Sequence, residues 1–321
     1  MPTILRCLCA SFLLALSCPL AAQSFPSQPI KLIAPFPPGG SVDITARLIA
    51  EPLGSALGTR MLIENRSGAS GNIGMEAART AAPDGYTIVL NTIPLVTNKN
   101  LFEKLTWDPI RDFAPIGMVA TSPHVMVAAA KLQVATVQDV VRMARASPGK
   151  LSYSSAGVGT TFHFCGEMFK DATRTFILHV PYRGGGPALL DLLAGQVDLS
   201  FPTLSAALPH ARAGTLRVLA VTGSARAAQL PEVPTLHEAG VKEFQFTQWL
   251  ALLAPAGTPP AVVARLNSAL ASALNSKDVR DKFQAQAFDA FITSPGDAGK
   301  FIASEAQRFA QLIKAKGITA N

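Results

Sequence analysis

Charge is scarce in this chain: 15% of its 321 residues are Asp, Glu, Lys or Arg, and there are only two tryptophans and three tyrosines. The formal charge is nonetheless +7. A nucleic-acid partner would call for basic runs and for rings that stack on bases, but no Lys/Arg-rich run is present and rings are few. Dispersed basic residues favour anionic solutes in general. Cysteine is scarcer still, because Cys7, Cys9 and Cys18 crowd the start and Cys165 stands alone in the rest of the chain. A disulfide within the body is therefore excluded. His124, His163, His179, His210 and His237 lack metal-ligand spacing. No G-x-S-x-G elbow occurs. Gly157-Val158-Gly159 is followed by Phe162 where a dinucleotide fingerprint needs Gly or Ala. No apolar run reaches the ~20 residues of a membrane-spanning helix. The expectation is a protein without metal, cofactor or catalytic residue.

What is present is a globular composition, 49% hydrophobic, over a length that suits two lobes of ordinary domain size. Residues 1–24 stand apart. Arg6 precedes the apolar run Leu8 to Leu16, and small residues gather at Ala21, Ala22 and Ser24. This is the pattern of a secretory signal peptide cut near Ala22 to Ser24. A lipid-anchored start at Cys18 is the competing reading, and Ala15-Leu16-Ser17 fits it poorly. Loss of the leader removes Arg6, leaves +6, and makes Cys165 the only thiol.

Beyond the leader, strand and helix signals alternate. Ile30 to Ala34 is an apolar strand that runs into a Pro/Gly turn and a helix from Val42, which Pro52 is expected to kink or end. Arg60 to Glu64 is a second strand, followed by the turn Asn65 to Gly71 and a helix through Met75 to Arg79; Tyr86 to Asn91 is a third strand. Thr121-Ser122-Pro123 separates two apolar runs and is where the chain is expected to cross to a second lobe. There, Thr136 to Asp139 reads as a capping box and Lys150 to Ser154 as a strand. Ser155 to Gly159 is a glycine loop before a helix capped by Thr160 or Thr161. Ile177 to Tyr182 leads through Gly184-Gly185-Gly186 to a helix starting at Pro187. Val197 to Phe201 and Leu216 to Thr222 are further strands, and Trp249 to Ala254 returns to the first lobe. Helices over Pro259 to Asn275 and from Ser294 to about Lys316 complete an α/β pattern, with mainly parallel sheets flanked by helices.

PFPPGGSVDITAR at Pro35 to Arg47 resembles the first-strand signature of the Bug family, the solute receptors of tripartite tricarboxylate transporters. Similar blocks follow in the family's order: ENRSGASGNIG from Glu64, DGYTIVL from Asp84, LSYSSAGVGTTFHF from Leu151, HVPYRGGGPALLDLLAGQVDLSF from His179 and LPEVPTLHEAG from Leu230. The resemblance covers essentially the whole chain past the leader. It implies a type II periplasmic binding protein, with residues 25–122 and 223–321 in one lobe, 123–222 in the other, and the ligand cleft between them. It further implies a non-enzymatic, monomeric receptor in the periplasm that passes a small carboxylate (a di- or tricarboxylate, an amino acid or an aromatic acid) to the large and small membrane subunits of such a transporter. Two departures stand out. Ile93-Pro94-Leu95 replaces small and hydroxylated residues and is expected to make that side of the cleft more apolar, and Ser67 and Ser70 replace Pro and Gly.

Candidate binding residues sit in the turns outside the carboxyl ends of strands, where open α/β sheets bind ligands. They are Phe36, Gly39, Gly40, Ser41 and Asp43; Ser70, Gly71 and Thr92; Ser154, Ser155, Gly159, Thr160, Thr161 and His163; and Arg183, Gly184 and Asp198. Free N–H groups at helix starts, with the dipole behind them, suit a carboxylate. Each hydroxyl taken alone serves equally well as a local cap. Asp43 offsets the dipole yet would repel a carboxylate, so loop ordering is its expected role, with contact to a ligand amine or hydroxyl as the alternative. Arg183 either faces the cleft or lies on a solvated rim, and Asp198 is expected to shape its loop. Two other classes stay open: a hydrolase built on Ser155 and His163, for which no acid partner is legible, and a sensory receptor reporting occupancy.

Overall fold

The computed structural model describes residues 25–319, so the leader expected over residues 1–24 lies outside the described residues. The first sheet has the order β11-β4-β10-β3-β1-β2. Its strands are β1 (Ile30–Ala34), β2 (Met61–Asn65), β3 (Thr87–Asn91), β4 (Phe113–Pro123), β10 (Thr247–Pro255) and β11 (Asp289–Ala290). β1 runs parallel to β2 and β3, while β10 is antiparallel to both β3 and β4, so the sheet is mixed. β1 lies between two neighbours with both faces covered, and accordingly Ile30, Leu32, Ile33 and Ala34 are all buried.

One face of this sheet is covered by α1 (Ser41–Leu57), α8 (Pro260–Asn275) and α9 (Lys277–Ala285), whose apolar stripes join it in one core. α1 continues through Pro52, contrary to expectation. Proline removes one backbone hydrogen bond, but Ile49, Leu53 and Leu57 are buried on either side of it and hold the last turns against the sheet. The other face takes α2 (Asn72–Arg79), α3 (Pro94–Leu101) and α10 (Pro295–Lys316). α10 begins where the sequence places it: the Ser294 hydroxyl accepts the Asp297 N–H and Pro295 occupies the first turn.

The second sheet, in the order β7-β6-β8-β5-β9, is built from β5 (Val125–Ala128), β6 (Ser152–Ser155), β7 (Leu178–Pro181), β8 (Leu199–Ser200) and β9 (Arg217–Val221). It too is mixed, with β6 parallel to β7 and β8, and β5 antiparallel to β8 and β9. α4 (Val137–Ala146), α5 (Thr161–Thr173), α6 (Gly185–Leu193) and α7 (Leu204–Arg212) flank it. α4 carries the expected capping box between Thr136 and Asp139. α6 starts two residues before Pro187, because Gly184 rather than Gly186 is its N-cap.

The two crossings between the sheets are tied to each other. His124 N donates to Thr222 Oγ1 (2.8 Å), Thr222 N donates to His124 O (2.9 Å), and Thr222 Oγ1 donates to Phe246 O (2.6 Å). α10 also reaches across. Phe309 packs on Phe164 of α5 at 5.2 Å between ring centroids, and Lys316 pairs with Asp171 at 2.5 Å.

Candidate binding site

Three helix starts meet between the two sheets. α1 begins behind Gly40, α5 behind Thr160 and α6 behind Gly184, and at none of them does the N-cap residue's side chain accept a first-turn N–H. Their first residues surround a narrow cavity of about 30 Å³ lined by Phe36, Gly40, Ser41, Val42, Thr92, Pro94, Ala156, Thr160, Thr161, Phe162 and Gly185. No side chain in that wall is charged. Positive ends of three helices therefore converge on a mostly apolar space, which favours one negative group without supplying a cation.

The two sides of the cleft are in contact. Ser70 Oγ donates to Val158 O (2.7 Å), and Thr97 Oγ1 donates to Gly159 O (2.9 Å). Gly184 has φ +126°, and a Cβ there would lie 2.5 Å from Pro37 Cδ, so only glycine lets α6 approach the first loop this closely.

Loop 35–43 is held by Asp43. Its carboxylate, 3% exposed, accepts from Gly39 N (3.0 Å), Arg47 Nε (3.0 Å) and Asn65 Nδ2 (3.0 Å). Burial by itself would raise its pKa, but the bonds from Arg47, Gly39 and Asn65 outweigh it and hold it below the usual carboxylate value. Its oxygens are thus engaged behind the wall, in the geometry expected of a loop-ordering residue.

Loop 155–163 is held differently. His163 Nδ1 accepts from Gly159 N (3.2 Å), the His163 ring stacks on His179 (4.3 Å), and His179 stacks on Tyr153 (4.9 Å). Behind them Tyr153 donates to Glu167 (2.6 Å), which also pairs with Lys170 (2.8 Å). Burial pushes the His163 pKa down to about 4, against the pull of Glu167, and pushes His179 down to about 3, aided by His163 and Lys170. Both rings are neutral at neutral pH, as the acceptor role of His163 requires.

The expected site residues sort accordingly. Phe36, Gly40, Ser41, Thr92, Thr160 and Thr161 line the cavity, whereas Gly39, Ser70, Gly71, Gly159, Gly184 and His163 belong to the loops that shape its edges. The Thr160 hydroxyl donates back to Gly157 O (2.6 Å). Ser154 is committed to Ala188 O and Ser200, and Asp198 accepts from Ser152 N and Oγ, both away from the wall. Arg183 is exposed and not part of the wall. Ile93 and Leu95, expected to face the cleft, are fully buried in the core, and only Pro94 between them reaches the cavity. The Ser155–His163 pair of the hydrolase reading does not form: Ser155 Oγ bonds His179 Nε2 (2.6 Å), and Ser155 is fully buried. Sequence reasoning missed Val42, Ala156, Phe162 and Gly185. Val42 and Phe162 each follow the first helical residue, a place where an apolar side chain reads as core unless the helix start is known to open on a cavity.

Comparison with known proteins gives the family and the fold. The model of the tripartite tricarboxylate transporter family receptor matches residues 45–318. Protein BugT of Bordetella pertussis is 37% identical over 304 residues, covering 94% of this chain and 93% of BugT. An adipate-bound protein of R. palustris superposes with a TM-score of 0.89 at 35% identity, over 92% of this chain and 99% of that one. The periplasmic binding protein BugD superposes with a TM-score of 0.88 at 30% identity, again over 92% of this chain and 99% of the other.

Proposed function

Since this chain belongs to the tripartite tricarboxylate transporter receptor family, we propose that it is an exported receptor that traps a small carboxylate between its lobes and hands it to the membrane subunits of such a transporter. The observation that carries this reading is the convergence of three helix starts without side-chain caps on one cavity with an uncharged wall. Backbone N–H groups and helix dipoles bind the anion, and exclusion of water strengthens both. The adipate held by the R. palustris relative supports the ligand class.

In this reading residues 25–122 and 223–321 form one lobe and 123–222 the other, and the protein works as a monomer. The lobes part about the crossings at His124 and Thr222, and Ser70 and Thr97 latch them when shut. A leader ending near Ala22 to Ser24 sends the chain to the periplasm, which intact-mass measurement of the exported protein checks directly. Binding is tested by thermal unfolding against a panel of carboxylic acids and their amides. Free ligand at 100 times its Kd adds about 2.7 kcal/mol of stability. A shift with acids and none with the amides is expected, and no shift with any acid would overturn the reading.

A further inference from the structure

Gly159 is held from both lobes at once. Its N–H donates to His163 Nδ1 (3.2 Å) within the second lobe, and its carbonyl accepts from Thr97 Oγ1 (2.9 Å) on α3 of the first. The residue before it adds another tie, since Val158 O accepts from Ser70 Oγ (2.7 Å). The approach is close, for a Cβ on Gly159 would lie 2.6 Å from Leu101 Cδ1 at the end of α3. The contact that shuts the cleft and the bond that shapes loop 155–163 therefore meet in one residue.

The tautomer of His163 fixes where an added proton must go. Because Nδ1 accepts the Gly159 N–H, the neutral ring carries its hydrogen on Nε2, which faces Glu167 Oε1 at 3.9 Å. Nδ1 is then the one ring nitrogen open to a proton, and once it holds one it points a donor at a donor. Protonation and the loop bond exclude each other. On α5, Glu167 favours a charge on this ring and Lys170 opposes it; on β7, His179 stacks on it at 4.3 Å, with Tyr153 of β6 behind. From the first lobe, Thr97 and Asn98 of α3, both uncharged, face Gly159. Two stacked imidazoles resist a second charge, so a single proton suffices. Under the loop the ring is 4% exposed, and burial holds its pKa at about 4; uncovered, it returns towards the ordinary value of 6.5. Closure is therefore fully favoured above about pH 6.5 and weakens as pH falls towards 4. Resting on the two-lobed receptor reading, we propose that His163 is a proton-sensitive positioning residue: a proton on Nδ1 releases Gly159, loosens the contact with Thr97 and lets the cleft open in acid.

Nuclear magnetic resonance of the histidine rings in the whole mature protein tests the coupling, and small-angle scattering tests the opening. His163 should titrate well below pH 6.5 with the slope of one proton. Thr97→Val, which removes the latching hydroxyl and keeps the bulk, should raise the proton affinity of His163 by up to about fivefold, the worth of one hydrogen bond, because coupling between proton and latch is reciprocal. Titration near 6.5 in the parent, or a value unmoved in Thr97→Val, overturns the proposal. Acidification from about pH 7 to about pH 5 should enlarge the radius of gyration of the parent while its far-ultraviolet circular dichroism stays unchanged. His163→Asn, whose Oδ1 stands where Nδ1 stood and takes no proton, should remain compact over the same range. A parent that stays compact, one that expands only as it unfolds, or a His163→Asn variant that expands alongside it overturns the proton latch. None of these results touches the carboxylate-receptor reading, which falls only if the panel of acids gives no thermal shift.

Discussion

In loop 35–43 the turn is held by a charge, and in loop 155–163 by rings that must stay uncharged. Both loops follow a strand, both open onto a helix start whose N-cap makes no side-chain bond, and residues of both line the same cavity. Asp43 anchors the first through three donors and remains ionised well into acid. His163 anchors the second by accepting the Gly159 N–H, which a protonated ring cannot do. The contrast teaches that one binding task admits opposite electrostatic solutions, and that they fail at different pH.

Acid should separate the two most strongly. Between the ordinary histidine value of 6.5 and the depressed values of about 4 for His124 and His163 and about 3 for His179, the unfolded chain binds protons that the folded chain does not. Stability is therefore complete above about pH 6.5 and falls as pH drops towards 4 and 3, by about 1.4 kcal/mol per pH unit for each such histidine. Urea unfolding at about pH 7, 5.5 and 4.5 should show this decline, and His163→Gln, which keeps an acceptor for Gly159, should flatten it by one histidine's share. A profile level across that window would abolish the distinction between the loops. Asp43 has the opposite signature, since its contribution is present above the ordinary carboxylate value of 3.8 and is lost only below it.

At neutral pH, Asp43→Ala should cost about 3 kcal/mol of stability by leaving the Gly39 N–H without its acceptor and Asn65 Nδ2 with Phe36 O alone. Its decline between about pH 6.5 and 4.5 should match that of the parent. Gly40→Val probes the first loop without straining it, because φ −83° and ψ 166° suit any residue and the nearest atom to an added Cβ is 3.8 Å away. Its methyl groups would enter the cavity, so carboxylate binding should fall at least about tenfold while unfolding stays within about 0.5 kcal/mol of the parent. The latch between the loops is weaker. Ser70→Ala and Thr97→Val should each remove about 1 kcal/mol from the closed form and raise the ligand dissociation rate, as stopped-flow release would show. Smallest of all, Arg183→Ala should alter affinity by less than about twofold at physiological salt, because an exposed charge outside the wall is screened.

The sequence alone determined the local order of this protein. The apolar run Ile30 to Ala34, the Thr136–Asp139 box and the Ser294-Pro295 start are signals contained within a few residues, and each became the element it announces. The glycine turns likewise marked where helix starts would lie open. The tertiary structure decided which of those turns share a space and which polar side chains are already committed. Ser154, Ser155 and Asp198 resemble ligand contacts in isolation, but partners 24 to 46 residues away in the chain consume their hydrogen bonds. Val42 and Phe162 resemble core residues, yet they line the cavity because α1 and α5 begin there from different sheets. Hydrophobic periodicity reports that a side chain leaves water; whether it meets protein or solute depends on long-range packing, which no local pattern encodes.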